Sequence, residues 1–257
     1  MANAFTFDGT DFSTLGVTYL TAVPGVLPSP KFARDSVGFR DLSVGGASTF
    51  PERTISIALH VHGTSASDLR DKLDSIALAL SSREDAALSL DNWPSRYWMA
   101  RVGSEVRPQP MGPLAAACEI EFVCADPFGY ASVESTDDDT IEAAASHEFS
   151  LVVGGTAPAL PVFVVVPTAA SAPVVISNET TGEKISWENA LAATDQIRIN
   201  CSTQYIDVAD QATETYDASM LNVAGRFPTL APGVTNNLII SGVPSGAVGT
   251  TWRNRYM

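Results

Sequence analysis

Basic residues are scarce in this chain: its 257 residues hold 15 Lys and Arg against 29 Asp and Glu, a formal net charge of −14. That balance excludes a protein that grips a nucleic-acid backbone, because displacing counterions takes clustered cations and no such cluster occurs along the sequence. Cysteine is scarcer still, at three residues, Cys118, Cys124 and Cys201, which make no disulfide framework. Cys118 and Cys124 stand six apart in one apparent strand, on one face and roughly 20 Å from each other, beyond bridging or sharing a metal ion. Both read as small core residues. No apolar run approaches the roughly 18 residues of a membrane-spanning helix. The opening M-A-N-A-F-T-F-D-G has neither the basic nor the apolar region of a secretory signal. The expectation is a protein made in a cytoplasm, with no membrane insertion.

Catalytic signatures are missing as well. The sequence holds no phosphate-cradling glycine loop followed by Lys, no G-x-S-x-G elbow, no H-E-x-x-H and no C-x-x-C. His60-Val61-His62 places two imidazoles on one strand face, yet no Cys, Asp or Glu is spaced locally to complete a metal site. Asp137-Asp138-Asp139 lacks the alternating oxygen ligands and central Gly of a calcium loop and reads as a solvated acidic linker. The expectation is a protein with no catalytic residues, no cofactor and no metal. Trp187 and Trp252 supply an alternative: exposed together, they would form a stacking platform for sugars, as in a carbohydrate-binding module.

What is present is mostly strand, organised around one amphipathic helix. From Gly63 to Ser82 the apolar residues fall at Leu69, Leu73, Ile76, Ala77 and Leu80, the spacing of a helix that buries one face. Ser65 and Asp68 stand three apart as cap and acidic partner, and Asp68 to Lys72 is an i, i+4 pair, so the helix is expected over 65–81. Arg53 to His62 alternates, with Ile55, Ile57, Leu59 and Val61 on one face. Ala115 to Cys124 does the same with Cys118, Ile120, Phe122 and Cys124. Phe5 to Phe7, an Asp8-Gly9 turn and Phe12 to Leu20 read as an opening hairpin. The segment Leu27 to Gly46 is too polar and too rich in Pro and Gly for a core.

Beyond Tyr130 the chain is more acidic. Short β-rich runs at Phe149–Val153, Val162–Val166, Val174–Ser177, Lys184–Trp187, Gln196–Cys201, Tyr205–Val208, Asn237–Ser241 and Thr251–Tyr256 are separated by Gly, Pro and Asn turns. That pattern indicates a β-sandwich. The fold class expected is mainly β with one helix: an N-terminal sandwich-like domain over 1–133, an acidic linker over 134–146 and a C-terminal β-sandwich over 147–257.

Laid out in this order, the segments resemble a siphophage distal tail protein. The resemblance is carried by F-T-F-D-G-T-D-F-S-T-L-G-V (Phe5 to Val17), L-P-S-P-K (Leu27 to Lys31), R-T-I-S-I-A-L-H-V-H-G-T-S-A-S-D-L-R-D-K-L (Arg53 to Leu73), W-P-S-R-Y-W-M-A-R-V (Trp93 to Val102) and E-I-E-F-V-C-A-D-P-F-G-Y (Glu119 to Tyr130). It continues through I-S-N-E-T-T-G-E-K-I-S-W (Ile176 to Trp187) and F-P-T-L-A-P-G-V-T-N-N-L (Phe227 to Leu238). The stretch Val37 to Leu42 departs from the P-G-R-D-G-like turn of the pattern. The resemblance implies a virion protein at the distal end of a phage tail, made in the bacterial host's cytoplasm, whose N-terminal domain assembles into a hexameric ring. It also implies a tail-tube-like N-terminal domain, a galectin-like or carbohydrate-binding-module-like C-terminal domain, and no common enzymatic activity or cofactor. The partners implied are other copies of the chain, the tail tube protein, a tail-tip protein and a receptor-binding or fibre protein, with phage DNA passing the bore without specific binding. The surface expected to meet a neighbouring copy comprises Leu27, Pro28, Pro30, Lys31, Phe32, Arg34, Phe39 and Arg40 on the arm, and Leu69, Leu73 and Ile76 on the helix.

Overall fold

The expected alternation at Arg53–His62 is realised as β6, a ten-residue strand in which every second residue from Arg53 to Val61 is buried. Its antiparallel partner β10, Ala115–Cys124, pairs with it along its whole length, from Ala115 opposite His62 to Cys124 opposite Arg53. Ala116, Cys118, Ile120, Phe122 and Cys124 point inward beside Ile55, Ile57, Leu59 and Val61. Each such large side chain contributes about 1.5–3 kcal/mol on burial. A one-residue slip would turn all of them to solvent, so the register is fixed.

The computed structural model describes residues 5–22, 31–36, 43–142, 145–193, 195–210, 215–217 and 223–257. The chain divides between Ser132 and Val133 into two compact units, apart from Met257, which groups with the first. In the first unit β1 (Phe5–Phe7) and β2 (Thr10–Asp11) form a hairpin whose two turn residues, Asp8 and Gly9, both have positive φ, 49° and 74°. That is the turn whose twist matches paired strands. Phe12 to Leu15 is a short 3-10 turn instead of strand, capped by Asp11, which accepts from the Ser13 N–H at 2.8 Å. The strand resumes as β3, Val17–Ala22, and pairs with β6 rather than with β1. The turn stacks Phe12 on Phe5 at 4.2 Å between ring centroids, inside a core that also holds Phe7 and Phe122.

Lys31–Ser36 (β4) and Ser43–Thr49 (β5) form a two-stranded sheet of their own. Helix α1, Ala66–Ala79, follows β6. Then come β7 (Ala86–Leu90), β8 (Arg96–Val102), β9 (Gln109–Gly112) before β10, and β11 (Gly129–Ala131) after it. The main sheet runs β2-β1-β7-β8-β10-β6-β3, with β9 added to β10 and β11 to β8.

The second unit is a sandwich of two antiparallel sheets. One has the order β12-β22-β14-β17-β18-β19 and the other β13-β21-β15-β16-β20. The strands are β12 (Ser135–Ile141), β13 (Ser146–Val152), β14 (Val162–Pro167), β15 (Val174–Asn178), β16 (Glu183–Trp187), β17 (Asp195–Asn200), β18 (Tyr205–Asp210), β19 (Thr215–Asp217), β20 (Val223–Gly225), β21 (Thr235–Ser241) and β22 (Gly246–Trp252). Residues 135–141 correct the expected linker: they pair with β22 from Ser135 opposite Trp252 to Ile141 opposite Gly246. A strand at a sheet edge tolerates this many carboxylates because one face stays in water.

The segment between β20 and β21 is fastened by buried polar groups. Asn236, fully buried, accepts from the Ala231 N–H at 2.7 Å and donates to the Ala231 carbonyl at 3.0 Å. Asn178, also fully buried, donates to the Thr229 carbonyl at 2.7 Å and to Asn236 at 3.2 Å. Glu183 accepts from the Thr229 N–H and hydroxyl, each at 2.7 Å. Replacing Asn236 with Ala leaves several of these buried groups unpaired. Asn236→Ala is therefore expected to destabilise the second unit by about 2–4 kcal/mol in urea unfolding. Ser150→Ala, which removes an exposed hydroxyl hydrogen bond, should stay within about 0.5 kcal/mol of wild type.

Candidate functional site

The surfaces named from the sequence are distributed unequally by the fold. Of the arm residues, Leu27, Pro28, Pro30, Phe39 and Arg40 lie outside the described residues, as does the stretch from 37 to 42. Lys31, Phe32 and Arg34 belong to β4, whose hairpin with β5 joins no larger sheet among the described residues.

The helix is better defined. Ser65 caps it, accepting from the Asp68 N–H at 3.1 Å. The Asp68 carboxylate reaches back to the Thr64 N–H at 2.6 Å, and Lys72 closes on it at 3.0 Å while also donating to the His62 carbonyl at 2.8 Å. Gly63 makes the junction possible, since a Cβ there would stand 2.7 Å from the Leu69 nitrogen. These contacts tie the end of β6 to the first turn of α1.

Of the apolar stripe they orient, every residue but the exposed Ala77 faces inward. Ile76 is 2% exposed, and Leu69 and Leu73 are half-buried against the core of their own unit. The three helix residues expected from the sequence to meet a neighbour thus pack on the core of their own unit, for the physical reason that a lone helix must cover a sheet. Facing outward instead is Leu78, 76% exposed, which the periodicity left unassigned. Sequence reading also missed the tip of the β9–β10 hairpin, Pro110-Met111-Gly112-Pro113-Leu114, all exposed. The pattern there, two prolines flanking Met-Gly ahead of an alternating strand, marks a turn and does not by itself mark an exposed apolar tip.

The glycan platform is corrected outright. Trp187 and Trp252 are 2% and 8% exposed and belong to the core of the sandwich. Their rings pack against Val, Ile and Leu side chains and offer no stacking face.

Elsewhere the chemistry is quiet. His60 and His62 meet edge to face at 6.0 Å, and among the described residues no three metal-ligating side chains converge. A polar recess of about 310 Å³ on the outer face of β6 and β10 is lined by Ser56, Glu119, Glu121, Ser104, Glu105 and Arg107. Burial raises the thiol of Cys124 to about 12 and pushes those of Cys118 and Cys201 upward as well, so none is a nucleophile at neutral pH. Arg53, 4% exposed and opposite Cys124, has its pKa lowered by the same desolvation.

Comparison with known proteins turns this architecture into a class. Residues 154–256 match the family model described as siphovirus-type tail component, C-terminal domain, and residues 38–124 match the phage tail protein RIFT-related domain. The SPP1 Dit protein, whose crystal structure is described as a paradigm of the hub adsorption apparatus in phages infecting Gram-positive bacteria, superposes with a TM-score of 0.79. The superposition covers 100% of both chains at 16% identity. Two structures of the phage p2 baseplate in its activated conformation, with Sr and with Ca, align at TM-scores of 0.53 and 0.52. Both are 10% identical and cover 99% of this chain and 98% of theirs. Among curated proteins no sequence matches. The fold and the two matched domains define a structural component of a phage tail. In both matched domains and in its fold the chain resembles the siphophage distal tail proteins.

The N-terminal cap of α1 gives a pH test. Hydrogen bonds from the Thr64 N–H, then from Lys72 and the Thr64 hydroxyl, hold the Asp68 carboxyl below its ordinary range. A carboxylate depressed in the folded state contributes its full stability above its unfolded pKa and loses it as the pH falls through the folded value. Asp68→Asn should therefore lower the urea midpoint most at neutral pH, with the gap to wild type closing as the pH drops below the carboxylate range.

Proposed function

We propose that this protein is the hub at the distal end of the tail, a hexameric ring joining the tail tube to the tail-tip and receptor-binding proteins. The observation that carries the reading is the likeness to the SPP1 Dit protein over the full length of both chains. The N-terminal unit, with its sheet and single helix, forms the ring in this reading. The C-terminal sandwich, which has no exposed tryptophan platform in its core strands, serves as the outward mount for partner proteins rather than as a glycan reader.

The two-stranded β4–β5 arm supports a contact between copies. An isolated hairpin buries too little to be stable alone, so a neighbouring subunit is its natural support. The net charge of −14 favours a neutral to acidic bore, since a basic one would hold passing DNA by its phosphates. No catalytic step belongs to this role.

Native mass spectrometry of the full chain tests it: six chain masses, about 163 kDa, with an open bore in negative stain, is the expected species. A monomer at every concentration, with or without tail tube protein, would overturn the hexameric hub. Deleting residues 27–46 should reduce ring formation while leaving the far-ultraviolet circular dichroism of the two units unchanged. Undiminished rings would remove the arm from the contact.

A further inference from the structure

Arg53 opens β6 and, by the alternation of that strand, turns the same way as Ile55, Ile57, Leu59 and Val61, so a guanidinium stands at the end of an aliphatic face. The residue is 4% exposed, and its Nε and Nη2 atoms are buried with no hydrogen-bond partner among the described residues. No carboxylate of those residues pairs with it either. The two carboxylates whose charge reaches the neighbouring Cys124 are engaged elsewhere. Asp85 stands 3.7 Å from Arg101, and Asp126 accepts from the Phe128 N–H at 3.1 Å and from the Tyr130 hydroxyl. Cys124 itself, raised to about 12 by burial, stays a neutral thiol and is no counter-ion.

A buried cation in this state is costly, and folded proteins rarely leave one unpaired. The two orphaned nitrogens belong to one edge of the planar group, where the N–H bonds run nearly parallel and match two oxygens of a single anion. Water accepts from one N–H at a time and leaves the charge unneutralised. An oxyanion meets both donors and the charge together. The neighbouring strands are bordered by small groups at this level. Cys124 lies opposite Arg53 on β10, Ala100 on β8 is next in register beyond the Arg101–Val123 pair, and Ala86 on β7 lies opposite Ala100. All three are buried.

We propose that the Arg53 fork is an anion site, filled by one small inorganic oxyanion of the phosphate or sulfate class. Enclosure selects that class. A free ion enters through local opening of the strand ends, whereas a carboxylate on a partner protein would have to bring its backbone in with it. Only Phe50, Pro51 and Glu52 separate Arg53 from β5, so the bound ion fixes the root of the β4–β5 arm as well as the end of the β6–β10 ladder. The site does not depend on the ring reading.

Urea unfolding of the full chain at constant pH and ionic strength, with inorganic phosphate replacing chloride, tests the site. An ion bound only by the folded state raises the midpoint with the logarithm of its concentration once the site fills, unlike a general salt effect, which grows linearly. That logarithmic rise is expected in the wild type and should be lost in Arg53→Met, which keeps a long unbranched side chain without the charge. Arg53→Lys, an ammonium without a fork, should show a smaller rise, and it decides the matter if Arg53→Met lacks the wild-type circular dichroism. In the wild type the Nε–H resonance that is absent from Arg53→Lys should move as phosphate is added and saturate at millimolar concentration. A rise of equal size in wild type and variants, or a resonance that phosphate leaves in place, overturns the site. A logarithmic rise that sets in at lower formate than phosphate gives the fork to a carboxylate and overturns the inorganic ion.

Discussion

The antiparallel pairing of β6 with β10 is the constraint on which the N-terminal unit depends. Ten residues on each strand are locked in one register by side chains that can all be buried only in that register. From the end of β6 the chain has two residues, Gly63 and Thr64, in which to leave the sheet before the helix cap at Ser65. The position of α1 is inherited from the strand register, and a recess beside α1 and the 3-10 turn is inherited from α1. The β9–β10 tip has the same origin, because β9 can pair only where β10 is left free by β8. Two surfaces at one end of the unit are thus set by one ladder.

The second unit is held in a different way. Its two sheets supply an ordinary apolar core, but the segment from Arg226 to Val234 has no strand partner along most of its course. It is fixed by amide and carboxylate groups that would be expensive to bury unpaired. Asn178 and Asn236 satisfy one another as well as the backbone, and Glu183 accepts from Thr229 while pairing with Arg226 at 3.2 Å. A polar clamp of this sort specifies one loop geometry, because any other would leave these groups buried and unpaired.

Much of this was legible in the residues. Strands β6 and β10 have the expected bounds, and α1 differs from expectation only in the fraying of its ends, because period-2 and helical patterns backed by a serine cap are local signals. The edge strand β12 was not legible: pairing with β22 is a long-range event, and Asp137-Asp138-Asp139 carries the polarity of a loop. The same limit applies to Phe12, which a strand pattern claims but an aspartate cap and a stack on Phe5 turn into a 3-10 corner. Trp187 and Trp252 had two readings until burial decided between them. The outward-facing Leu78 and Met111 break no pattern and so announced nothing.

The three cysteines carry a consequence for the life of the particle. Oxidants such as air and metal traces act on accessible thiolates, and a protein that leaves reducing surroundings meets them through such groups. Here every thiol sits in a core, 4% exposed or less, with its ionisation suppressed by burial. Buried this way, the thiols offer an oxidant no ready thiolate, and neither core is held by a disulfide whose loss in reducing surroundings would loosen it.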